Sequence, residues 1–133
     1  MDKNYESFKE QMDALVEAKN YRAIRPLAEE MQEADIAEYL SGLDISKALP
    51  VFRTLPKELA ADVFSYFEPD VQEKFITSVT DEEIRRIIEE LSVDDAVDML
   101  EELPATVVKR VLKNAANDTR SELNRFLNYS DDS

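Results

Sequence analysis

"TDEEIRRIIEELSVDDAVDMLEEL", Thr80 to Leu103, is two blocks of twelve residues built to one pattern. Each block opens on a hydroxyl residue, Thr80 or Ser92, with acids close behind it. Each then places apolar side chains at its fifth, eighth, ninth and twelfth positions: Ile84, Ile87, Ile88 and Leu91, then Ala96, Met99, Leu100 and Leu103. Spacings of three and four put these residues on one face of an α-helix. A hydroxyl ahead of the run accepts a hydrogen bond from a first-turn amide, and acids there complement the helix dipole. The stretch therefore predicts two short helices, roughly nine or ten residues each, with a very tight turn between them.

The same frame extends in both directions, from Gln32 to Leu127. The eighth position reads Tyr39, Val51, Val63, Phe75, then Val111 and Leu123 beyond the quoted stretch. The ninth reads Leu40, Phe52, Phe64, Ile76 and Leu112, and breaks only at Asn124. Blocks begin on Asp44, Pro56, Glu68-Pro69 and Pro104, which are helix-start residues. "NYRAIRPLAEEM", Asn20–Met31, fits the frame too, and residues 1–19 form a leading helix whose inner face is Met12, Leu15 and Val16. Helices this short are marginal alone in water and persist by stacking on neighbours, as in solenoids. The reading is an all-α superhelix of about ten short helices, its hand left open by the periodicity. Because twelve residues is less than a usual two-helix repeat, successive helices are expected to pair into units of about twenty-four. Pro26 and Pro50 fall at the seventh position of their blocks, so those helices either kink or start late.

Composition narrows the chemistry. With 44% hydrophobic residues the chain of 133 can build a core despite 35% charged residues. It has neither cysteine nor histidine, which removes disulfides, thiolate metal sites and histidine-based nucleophile systems. Any metal would be held by oxygen, which means magnesium, calcium or manganese. A formal charge of −14 opposes binding to a nucleic-acid backbone and favours cations or basic partners. "MDKNYESFKE" is no signal peptide, and the longest apolar run, "ALPVF" at Ala48–Phe52, is too short to enter a bilayer. The chain is expected to be soluble and not to insert in a membrane.

Two readings of the acids stand. Ten acids against two bases between Thr80 and Leu103 leave a local charge of −8. Ser92 and Asp95 make a capping-box-like pair, and Asp94 and Asp95 suit the helix dipole. Asp98 is less easily explained, since it lies in the second turn and shares a face with Asp94 at i, i+4. It occupies the seventh position of its block, as Asp62 does in "PKELAADV". Two charges about 8 Å apart repel by roughly 2 kcal/mol at an effective dielectric near 20. Such a face is either solvated with ordinary capping or a divalent-cation site. With no EF-hand loop present, magnesium, which needs only one or two carboxylates and keeps its waters, suits it better than calcium. Glu89, Glu90, Glu101 and Glu102 read as surface charge, and Tyr66-Phe67 as core followed by a helix stop. Arg85 and Arg86 are solvated or pair with acids such as Asp81 or Glu89–Glu90, and "KRVLK", Lys109–Lys113, is too small a basic patch for nucleic acid.

"TLPKELAADVFSYF", "IIEELSVDDAVDMLEELP" and the closing "FLNYSDDS" resemble the cytosolic N-terminal domain of MgtE-type magnesium transporters and channels, from about Lys19 to Ser133. The resemblance implies one intracellular N domain over residues 1–133, with 128–133 starting a linker to a pair of cystathionine-β-synthase-type (CBS) domains. It implies a right-handed superhelix on the cytoplasmic side of a bacterial plasma membrane, in a homodimeric parent with a transmembrane pore. The acidic surface would dock on the CBS pair through bound Mg2+ when intracellular magnesium is high, closing the pore. The ion-binding acids of the family fall on Asp62, Asp94 and Asp98 here, with Asp95 adjacent. Asp62 stands where a glutamate can occur, a shorter reach. A different function is a metal-independent adaptor, like the scaffold segments of the flagellar motor switch. An enzyme using paired carboxylates is not expected, because these acids lie on a regular helical face without loop insertions to build a pocket.

Overall fold

Eight successive N-caps, Gln32, Asp44, Pro56, Glu68, Thr80, Ser92, Pro104 and Ala116, all fall on the first position of the twelve-residue block. The computed structural model of the protein describes residues 3–127, and every element among them is a helix. The ten helices are α1 (Lys3–Ala18), α2 (Tyr21–Glu29), α3 (Glu33–Ser41), α4 (Ile45–Thr54) and α5 (Lys57–Ser65), then α6 (Pro69–Ser78), α7 (Asp81–Glu90), α8 (Val93–Glu101), α9 (Ala105–Asn114) and α10 (Asn117–Phe126). Helices α2 to α10 are nine or ten residues long, as the block length requires. The fold is all-α. The closing "NYSDDS", and with it the expected linker start, lies outside the described residues.

The apolar stripe is the core. Every eighth-position side chain from Tyr39 to Leu123 is buried, and so is each ninth-position residue from Leu40 to Leu100. The twelfth position ends the helix and folds its side chain inward: Leu55, Phe67, Val79, Leu103, Ala115 and Leu127 are buried in the turns. An apolar residue there anchors a connection too short to form anything but a turn.

The chain divides into two compact units, Met1–Phe67 and Glu68–Ser133. Within the first, α2 packs on α4 and α3 on α5; within the second, α7 packs on α9 and α8 on α10. The recurring partner is thus the next helix but one, twenty-four residues on. That offset is the length of the expected two-helix unit, and α1 also packs on α2 and α3 on α4.

In the first unit the largest buried side chains are Phe8, Phe64, Met12, Ile24, Ile36 and Leu40. Phe52, Phe64 and Phe67 form an aromatic cluster with ring centroids 5.7–6.4 Å apart. On the leading helix the inner face is Phe8 and Met12, while Leu15 and Val16 are half-buried. Phe8 meets Tyr39 edge-on at 5.8 Å, and the Tyr39 hydroxyl donates to the Asp13 carboxylate at 2.7 Å. Helix α1 ends where Lys19 turns left-handed at φ 56° and Asn20 N–H donates to the Leu15 carbonyl, a Schellman closure built without glycine.

Pro26 and Pro50 lie inside α2 and α4, which begin at Tyr21 and Ile45; neither helix starts late. Each proline removes one bond to a carbonyl four residues back, at Arg22 and Ser46. Both of those residues are exposed, so the freed carbonyls face the solvent side of their helices.

The second unit buries Phe75, Ile84, Leu100 and Val111 with one polar side chain, Gln72 at 4% exposure. Gln72 holds the fifth position of its block, which in the other blocks is Ile36, Ala48, Ala60, Ile84, Ala96 and Val108, and Arg120 in the last. No buried side-chain polar atom of the described residues lacks a hydrogen-bond partner.

Candidate metal-binding face

Asp94 and Asp95 occupy the first turn of α8, and Asp98 follows one turn later. Ser92 caps the helix by accepting from the Asp95 N–H at 3.1 Å. That holds the backbone of the first turn but leaves the carboxylate of Asp95 outside the cap. The complete capping box sits one block earlier, where Thr80 and Glu83 exchange bonds of 2.9 and 3.2 Å. Glutamate reaches back to the N-cap amide; aspartate is one methylene shorter.

Asp94, Asp95 and Asp98 are all exposed. None of their carboxylates takes part in a hydrogen bond or ion pair among the described residues, unlike those of Asp81, Glu82 and Glu89 in the same unit. Ala96, Met99 and Leu100 occupy the buried face of α8, so the three aspartates stand on its outer side. Like charges at i, i+4 destabilise a helix by a few tenths of a kcal/mol. Among the described residues no base pairs with Asp94 or Asp98 to offset this.

Asp62 is exposed on α5, in the first unit, and its carbonyl accepts from the Ser65 hydroxyl at 2.8 Å. The structure thus places Asp94, Asp95 and Asp98 together on α8 and Asp62 in the other unit. Tyr66, the C-cap of α5 and four residues beyond Asp62, is 58% exposed; only Phe67 of that pair joins the core. The expectation of core therefore holds for Phe67 and fails for Tyr66, because the sixty-sixth residue is the eleventh of its block and falls off the stripe.

The donor chemistry of these carboxylates suits a hard dication: all oxygen, exposed, and not engaged by a base on α8. Among the described residues no three acids converge to hold a metal ion. One or two carboxylates suffice for magnesium, which keeps several waters.

Several ionic contacts were not legible in the sequence. Asp81, expected as a partner of the neighbouring arginines, is taken by Arg110 from α9 at 2.9 Å. The same guanidinium donates to the carbonyl of Ile76 and, at 3.0 Å, to that of Val79, closing the end of α6. Arg120 does the same for α9, donating to Leu112 at 2.9 Å and Ala115 at 3.2 Å. Glu89 is more than surface charge: its carboxylate accepts from Ala116 N–H and from the Thr119 hydroxyl, capping α10, whose own N-cap is an alanine. Arg86 lies 4.0 Å from Glu82.

Comparison with known proteins follows this geometry. The fold matches the crystal structure of the soluble part of a magnesium transporter with a TM-score of 0.82 at 17% identity, over 94% of this chain and 50% of that one. It also matches the cytosolic domain of the Mg2+ channel MgtE in complex with ATP, at a TM-score of 0.70 and 32% identity, over 85% of this chain and 46% of that one. The chain therefore spans about half the length of the solved structures it resembles. No curated protein sequence matches it. The profile of the MgtE intracellular N domain matches residues 31–132, most of the chain, and the protein belongs to that family.

Proposed function

We propose that the chain is the magnesium-responsive regulatory domain of a magnesium transporter or channel, on the cytoplasmic side of the plasma membrane. Its acidic face docks on a CBS-domain pair of the same polypeptide in a homodimeric parent, and Mg2+ ions held between the two surfaces stabilise the docked state. The observation that carries this reading is the row of exposed carboxylates at Asp94, Asp95 and Asp98, with no base among the described residues paired to them.

Asp94 and Asp98 would supply one or two carboxylate oxygens to a hydrated magnesium, with Asp62 contributing a second, separate contact. Asp95 is adjacent and serves first as the residue whose amide Ser92 caps. Without the ion, two acidic surfaces repel and the domain stands away. With it, repulsion becomes attraction, and the docking equilibrium shifts by the difference in magnesium affinity between the two states. Release at low magnesium then permits the pore to open.

The test uses the longer protein containing the CBS pair. Thermal unfolding is followed across a magnesium titration for wild type, Asp94→Asn/Asp98→Asn and Asp62→Asn. Stabilisation that is lost in the double variant supports the assignment. An equal magnesium response in wild type and double variant refutes it. Docking that persists unchanged in chelator would instead favour the metal-independent adaptor.

A further inference from the structure

We draw no further inference here: the strongest candidate, the exposed aromatic surface patch of Tyr66 at the C-cap of α5, is a single ring, and nothing in the structure shows what covers it.

Discussion

Arg110→Met is the substitution that best separates hydrogen bonding from ion pairing in this fold. Arg110 leaves α9 one-third exposed and spreads its guanidinium over three acceptors: the carbonyls of Ile76 and Val79 and the Asp81 carboxylate. The two carbonyls are among the last of α6, where no backbone amide can reach them. Methionine preserves most of the apolar stem and removes every donor. A hydrogen bond involving a charged group contributes about 1.5–3 kcal/mol when lost from a buried site. These are part-buried, so about 1–1.5 kcal/mol each is the appropriate scale. Asp81 is 65% exposed, and an exposed pair of that kind contributes about 0–1 kcal/mol. The expected loss is therefore about 2–4 kcal/mol, a fall of roughly 3 °C in Tm per kcal/mol for a chain of this size. Urea unfolding followed by circular dichroism measures it, with hydrogen exchange of the α6 end locating it. Arg110→Lys should recover less than half, because a point charge cannot fork between two carbonyls. Asp81→Asn should cost under about 1 kcal/mol. If Asp81→Asn cost as much as Arg110→Met, or if 1 M salt erased the difference, the carbonyl-capping argument would be wrong.

Three further outcomes follow from the packing and the chemistry. Phe64→Ala removes a fully buried ring from the Phe52–Phe64–Phe67 cluster and should destabilise the protein by about 3–5 kcal/mol in equilibrium unfolding. Pro26→Ala restores an interior amide to α2 at an exposed position, and calorimetry should register a stabilisation of about 1–2 kcal/mol after the added entropy of the unfolded chain is allowed for. Burial, then the hydrogen bond to Asp13, raise the Tyr39 hydroxyl pKa above its ordinary value, so the unfolded chain loses that proton first. Stability is intact below about pH 10 and declines as pH rises beyond it, and Tyr39→Phe should flatten that alkaline decline in pH-dependent unfolding.

The repeat carried most of the architecture because every element of it is local. A cap, an acid in the first turn and apolar residues three and four apart act within one helix, so Thr80–Leu103 alone predicts the bounds of α7 and α8. The acids of α8 were legible for the same reason: their positions relative to Ala96, Met99 and Leu100 place them on the outer face. Their exposure and lack of basic partners could not be read off, since ten acids were available and two arginines stood nearby in the chain.

Sequence by itself determined that this chain is a row of short helices with one inward stripe, and which residues start and end each helix. Tertiary structure alone decided that α2 and α4 run through their prolines, that α2 stacks on α4, α3 on α5, α7 on α9 and α8 on α10, and that Tyr66 stays outside. It also decided that Arg110, Arg120 and Glu89 cap helices other than their own. The physical reason is range. Periodicity and capping are settled by residues within one turn of each other, whereas an arginine chooses among carbonyls up to thirty-four residues away, and only the stacked helices determine which of them lies within reach.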